Sequence, residues 1–411
     1  FILKKLKVLS REINWWWPLL YGLIGIGLTG IVTWLDVYIS NWFPKDWQTT
    51  LGLAQTIHSS VFTGLLAMMT FTFSTILVVL TTYSSQFSPR TLPNFIENRQ
   101  VQHIFGIFIG AVSYSMTMLF FLRPALKTSV VASTVAVLVV LISIVAFVAF
   151  IHIVSQSIRV TTLLDRLHEE GNELLKRQVE HLGSGEQKIT ERKMTTNYPH
   201  LIQATRTGYI QAVDYDAFDQ KDRVYIDRTV GSFVTEGEAI GRATCRDINE
   251  SILIGPTKSS EQDFAFVLEK LSEVALRAIS PGINDPNTAR HAIRIIGDLM
   301  RQYAVIPDGV LVVGKDQQHI VVRETYQQLL YTTFYQLRHY GAEDISVLAT
   351  MLESLGTMKR QALPAHYETI QRFIPYICSE VRFETMNDWD RDFLQNQIHR
   401  ALNETFVSPS T

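Results

Sequence analysis

The sequence predicts a membrane α-helical protein: four transmembrane helices joined to a cytoplasmic α+β domain that contains a small barrel-like β module. Three observations carry this. Four long apolar runs, nearly free of charge, fill the chain up to about Val154, and a helix crosses a bilayer with about 20 such residues. Beyond that point charges become frequent, as in a soluble protein. From Thr207 short β-branched and aromatic segments alternate with glycines, which is a strand pattern. The expected domains are residues 1–155 in the membrane, 156–189 as a helical extension and linker, 190–257 as the β module, and 258–411 as a mostly helical domain with one β-hairpin.

Composition excludes some classes of function. The 411 residues hold 37 Lys and Arg against 39 Asp and Glu, for a net charge of −2. No basic field argues for nucleic acid. Cys245 and Cys378 are too few for a disulfide framework or a thiolate metal site, and read as reduced thiols.

The first apolar run follows Lys4, Lys5, Lys7 and Arg11 and opens with Trp15, Trp16 and Trp17. Basic residues before an aromatic belt mark a cytoplasmic start. The run is too long for a signal-peptide core and is expected to be retained. The loop from Asp36 to His58 has only Lys45 as a basic residue. The second crossing, Val61 to Leu80, carries hydroxyls at Ser59, Thr63, Thr70, Ser74, Thr81 and Ser85. Steps of four and seven keep them on one side of a helix. Such a stripe either faces water in a pore or packs on other helices, and both readings stay open.

The third crossing, from about Ile104 to Leu122, aligns Gly106, Gly110, Ser113 and Thr117. Small residues at this spacing let helix backbones approach, so this face is assigned to helix contact. A link with Arg123 and Lys127 leads to the fourth run, Ser129 to Val154. Four crossings and a basic N-terminus place both termini in the cytoplasm. The middle of each crossing lacks Asp, Glu, Lys and Arg, which argues against a proton relay or charge-coupled pump.

The fourth crossing is expected to continue as a helix to Leu182, where Gly183 to Gly185 break it. GYIQAV, RVYIDR, GSFVTEG and AIGRAT then read as strands. The run VGSFVTEGEAIGRA resembles the turn-and-strand piece of biotinyl- and lipoyl-type barrels. Those modules carry their cofactor on a Lys typically flanked by Met. Lys221, in DQKDR, lacks that flank, so the likeness is one of geometry and no cofactor is expected. Ser260 with Asp263 suggests a capping box before a helix running to about Ile279. SPGINDP ends that helix and starts another, with Asp285 as cap and Pro286 in the first turn. GVLVVGKDQQHIVVR reads as a hairpin, and the remainder to about Phe406 is helical.

No Gly-rich phosphate loop, His pair at metal spacing or nucleophile with a credible base appears, so neither enzyme activity nor a metal is expected. Asn284 and Asp285 form a candidate ligand loop at a helix start, where free N–H groups favour anions. Asp285 itself repels an anion, and capping accounts for it fully. Arg90 lies just past the hydroxyl stripe, at the expected cytoplasmic mouth. It serves there as an anion-attracting ring or as an interfacial anchor.

FSPRTLPNF, followed by QVQHIFGIFIGAVSYS and later ALRAISPGINDPNTA, resembles the signature of a bacterial family of predicted integral membrane proteins, a domain of unknown function. Thr91 stands where Leu is expected, and ISPG replaces LSPG. The resemblance covers nearly the whole chain. It implies an inner-membrane protein of a bacterium and assigns no activity.

Two functions follow from these residues. One is a homo-oligomeric channel for ions or small solutes. The hydroxyl stripe would line it, Leu77 would form a hydrophobic constriction, and Arg90 would favour anions. The other is a membrane-anchored sensor or scaffold whose cytoplasmic domain binds a ligand or partner. The topology is open to a direct check. A cysteine placed at Gln48 should react with an impermeant thiol reagent added outside, and one at Gln187 should not; the reverse pattern would invert the orientation.

Overall fold

The structure is a computed structural model that describes residues 16–39, 42, 44, 48–82, 99–122, 128–157, 159–182, 198–214, 222–245, 248–308, 310–313 and 319–403. The chain divides into two units that part between Arg159 and Val160.

Four helices long and apolar enough to cross a membrane build the first unit: α1 (Trp16–Ile39), α2 (Leu51–Thr82), α3 (Arg99–Phe121) and α4 (Val131–Ser157). The shortest has 23 residues, about 35 Å at the helical rise, against about 30 Å of hydrocarbon. Lipid is as apolar as leucine, so close backbone approach must hold such helices together. Between α1 and α3 this approach is set by glycines. A Cβ added at Gly110 would lie 2.8 Å from the Tyr21 carbonyl oxygen, and one at Gly106 would strike the Tyr21 ring. Two short strands, β1 (Thr49–Thr50) and β2 (Thr128–Ser129), pair antiparallel. They hold the residues just before α2 and α4 side by side at one end of the bundle.

At that same end Asp36, near the close of α1, is buried. Its Oδ1 accepts from the Val130 and Val131 N–H groups at 3.0 and 2.8 Å, and its Oδ2 from Ala132 at 3.0 Å. The first N–H groups of a helix have no partner within it, and a carboxylate there meets both the orphan donors and the helix dipole. Tyr114 of α3 donates its hydroxyl to the Ala132 carbonyl at 3.2 Å, and the buried His58 ring of α2 lies edge-on to Tyr114. All four helices therefore meet at this cap.

The second unit opens with α5 (Val160–Leu182). The expected continuous helix is corrected here: α4 closes at Ser157 and α5 begins at Val160, with Ile158 outside the described residues. Nor is α5 a mere extension. Leu163, Leu164, Leu167, Leu174 and Leu175 are buried, and α5 docks on α6 (Phe264–Ala278) and α7 (Pro286–Tyr303). His168 Nε2 lies 2.9 Å from Asp298, Asn172 accepts from Gln302 at 2.8 Å, and a Cβ at Gly171 would meet Leu299 at 2.7 Å. Leucines at near-helical spacing predict this apolar face; the Leu299 side chain of α7 that meets Gly171 lies more than a hundred residues away.

Strands β3 (His200–Gln203), β5 (Val224–Ile226) and β7 (Ala239–Ala243) join a hairpin of β9 (Val310–Val313) and β10 (His319–Val322) in one five-stranded sheet, order β3-β7-β5-β10-β9. Strands β4 (Gly208–Val213), β6 (Phe233–Val234) and β8 (Ile252–Gly255) form a second, order β6-β4-β8. The inward residues of both, among them Ile202, Ile210, Ile226, Val234, Ile240 and Ile254, share one core. This corrects the barrel: among the described residues the two sheets pack without closing. The alternation that identifies strands does not say which edges join. The hairpin is likewise part of this sheet rather than an isolated piece of the helical domain, because β10 pairs in parallel with β5, Ile320 opposite Tyr225. The remaining helices are α8 (Tyr326–Gly341), α9 (Ile345–Lys359), α10 (Pro364–Ile377) and α11 (Asp388–Asn403). α11 is tied back by the buried Lys359, whose Nζ donates to the Ala401 and Leu402 carbonyls at 2.9 and 2.7 Å.

Asp36→Ala should lower the melting temperature of the detergent-purified protein, because three helix-end N–H groups, two of them buried, lose their acceptor at a cost of about 3 kcal/mol. Asp36→Asn, which keeps an oxygen acceptor, should fall between. Equal melting of all three proteins would show that the cap carries no weight.

Candidate functional site

The faces of α2 are sharply divided. Ala54, His58, Leu65, Thr72 and Val79 are buried against the rest of the bundle. Ser59, Thr63, Thr70, Ser74, Leu77 and Thr81 are all exposed on the chain's own surface. The two sets lie on opposite sides because each repeats near seven residues with an offset of two, about half a turn. Thr63 and Thr70 donate their hydroxyl protons to the Ser59 and Leu66 carbonyls at 2.9 Å, and Thr81 donates to Val78 at 2.8 Å. The threonine protons are thus used within the helix, and what points outward is an oxygen acceptor beside the methyl group. Ser85 and Arg90 lie outside the described residues.

Gly106, Gly110, Ser113 and Thr117 face α1 of the same chain. Thr117 Oγ1 lies 2.7 Å from Thr29 Oγ1 and donates to the Ser113 carbonyl at 2.6 Å. Ser113 Oγ would stand 3.6 Å from a Cβ at Gly22.

In the SPGINDP segment Asp285 caps α7, its Oδ1 accepting from Thr288 N–H at 3.2 Å and its Oδ2 from the Thr288 hydroxyl at 2.6 Å. Asn284 is held at φ 50°, left-handed backbone, and its N–H donates to the Ser280 carbonyl at 2.9 Å. This is a tight connector between two helices. Both Asp285 oxygens are engaged in the cap.

The polar chemistry of the second unit lies elsewhere. A cavity of about 230 Å³ opens between α5, the β5–β6 turn, the start of α6, the end of α7 and the exit of β10. Asp263 is its innermost carboxylate, buried, with Oδ1 accepting from Phe266 N–H at 2.9 Å. Burial pushes its pKa up to about 6. Burial also pushes Glu324 up to about 7, assisted by the Asp263 charge and opposed by Lys258. Lys258 is itself paired with Glu269 at 2.7 Å. Gly231 sits at φ 91°, so close to the Asp263 carboxylate that any side chain there would collide with it. Arg323 donates Nη2 to the Pro307 carbonyl at 2.8 Å. Its buried Nε and Nη1, and the buried Oε1 of Gln178, have no hydrogen-bond partner among the described residues.

The family model "Predicted membrane protein (DUF2254)" matches residues 11–357. The chain belongs to this family. It is 24% identical to the uncharacterized protein Mb1321c of Mycobacterium bovis and to the uncharacterized protein Rv1290c of Mycobacterium tuberculosis. Each alignment covers 94% of this chain and 80% of the relative. No solved structure matches the chain.

In this DUF2254 protein the cavity residues escape sequence reasoning because each has a bland local role. Asp263 reads as part of a capping box with Ser260. The structure gives Asp263 the cap alone, since Ser260 Oγ instead receives Lys270 Nζ at 2.6 Å. Arg323 reads as the end of a hairpin and Glu324 as the start of the helical remainder. The available signal was a charged pair set directly before a second cap, the Thr325–Gln328 box that starts α8.

The two carboxylates set a pH dependence. Their folded pKa values lie above the unfolded ones, so the stability they contribute is full below about pH 4 and is lost as pH rises through 6 and 7. Asp263→Asn keeps an acceptor for Phe266 and removes the buried charge. It should raise the melting temperature at pH 8, through a stability gain of up to about 3 kcal/mol for a shift from 3.8 to about 6. At pH 5 the gain should fall to about half, because the loss is spread between the unfolded value of 3.8 and the folded value of about 6. An equal gain at both pH values would mean that Asp263 is not protonated preferentially in the folded state.

Proposed function

We propose that this membrane protein is a homo-oligomeric channel for ions or small solutes, lined by α2 from each copy and regulated by its second unit. The observation that supports it is the division of α2: the hydroxyl stripe lies opposite the face that packs on the chain's own helices. Four helices enclose little room for a hydrated path, so a pore needs stripes from several copies about an axis. Exposed hydroxyl oxygens suit such a lining, since they coordinate without fixing charge. Leu77, exposed within the stripe, would gate by dewetting. The sequence sets Arg90 just beyond, where its field would favour anions. The termini would lie in the bacterial cytoplasm, and the protein would need no cofactor and act as no enzyme.

A second reading is favoured by one observation. The cavity beside Asp263 and Glu324 suits a membrane-anchored sensor whose second unit takes a ligand, with the α2 stripe engaged only in helix packing.

Purified protein in planar bilayers separates the two. Leu77→Ser should raise conductance several-fold, and Arg90→Glu should shift ion preference toward cations. Silence from wild type and both variants, in protein shown to be folded and oligomeric, would leave the sensor.

A further inference from the structure

We infer that the cavity of the second unit is a binding site for a small zwitterion, a molecule with an ammonium at one end and a carboxylate at the other. The inference deepens the ligand-sensing premise and does not depend on a pore. Buried polar atoms without partners each cost on the order of 1–3 kcal/mol, more when charged. Arg323 and Gln178 line this cavity, and the Nε and Nη1 of Arg323 and the Oε1 of Gln178 are buried in its wall without a partner among the described residues. Water would serve in part, but a buried cation is best met by an anionic oxygen, and Arg suits carboxylates for that reason.

Two carboxylates line the same cavity as Arg323. They are Asp263 and Glu324, close enough for the Asp263 charge to help burial disfavour ionisation of Glu324. Lys258 is near but committed to Glu269. Glu261 and Arg177 stand at the lining as well, and Arg177 is paired with Glu173 at 3.5 Å on the surface of α5. Asp308 and Tyr303 are the other titratable groups near Arg323, and Asp308 is bound to His366 at 3.3 Å. A ligand ammonium would let both cavity carboxylates ionise, and its carboxylate would neutralise Arg323. Gln178 would accept one ammonium proton. A simple anion would leave the carboxylates opposing it, and a simple cation would leave Arg323 unmatched. The apolar part of the wall, Leu174, Phe264 and Leu329, allows a short carbon chain between the two charges. About 230 Å³ holds a molecule of amino-acid size and falls below the usual range of drug-sized sites.

The test uses the full chain in detergent, with glycine, β-alanine and γ-aminobutyrate as probes of increasing charge separation, and acetate and methylamine as half-ligands. At least one zwitterion should bind saturably by titration calorimetry and raise the melting temperature. It should bind at least tenfold more tightly than either half-ligand, with affinity rising from pH 5 to pH 8. Arg323→Gln and Glu324→Gln should each weaken it at least tenfold. Either variant suffices if the other fails to fold. Absence of binding by all three zwitterions to folded wild type, acetate binding as tightly as the best zwitterion, or affinity unchanged in the folded variants would each overturn the assignment. None of these readouts involves conductance, so this site and the channel stand or fall separately.

Discussion

Asp36 reaches from the last turns of α1 to take three backbone N–H groups at the start of α4. In water such a cap is one modest interaction among many. Inside a bundle the alternative is a set of buried donors with no solvent to receive them, and the carboxylate becomes a condition of assembly. Its effect spreads through shared atoms. The Ala132 residue that donates to Asp36 also accepts the Tyr114 hydroxyl, and Tyr114 carries the His58 ring. The order of the four helices at this end is therefore set by polar matching, while the α1–α3 seam is set by the absence of side chains at Gly106 and Gly110.

The second unit contains the same device with a different outcome. Asp263 caps α6 as Asp36 caps α4, yet one of its flanks opens on a cavity shared with Glu324 and Arg323. A cap that is closed on all sides is structure. A cap left beside unmatched charge is a place where something else completes the set. The two halves of the chain thus use one piece of helix chemistry for two ends, and only the surroundings tell them apart.

What the sequence reveals follows from the range of the forces involved. Apolar length needs no partner to be recognised, so the four crossings are legible from composition alone. Local caps are legible too: Asp285 and Pro286 announce α7, and the structure places them as expected. Contacts between distant segments are not. Nothing near Gly171 says that it meets Leu299, nothing in the hairpin says that β10 lies beside β5, and alternation along β4 does not reveal that its sheet stays separate from that of β7. The cavity is illegible for the same reason, since Gln178, Asp263 and Arg323 come from three distant segments and each has a sufficient local explanation.

The threonines of α2 have a mechanical effect as well as a chemical one. Thr56, Thr63, Thr70, Thr72, Thr75 and Thr82 each direct a hydroxyl to the carbonyl four residues back. Those carbonyls already serve the helix ladder, and sharing them weakens the ladder locally and favours bending. α2 is also the longest of the four at 32 residues, about 48 Å of helix for about 30 Å of hydrocarbon. A rod that is both overlong and softened along its length accommodates a change in bilayer thickness by flexing, whereas α4 shows such bonds, among the described residues, only at Thr134 and Ser143. Compliance in this bundle is thus concentrated in the helix that carries the hydroxyl stripe.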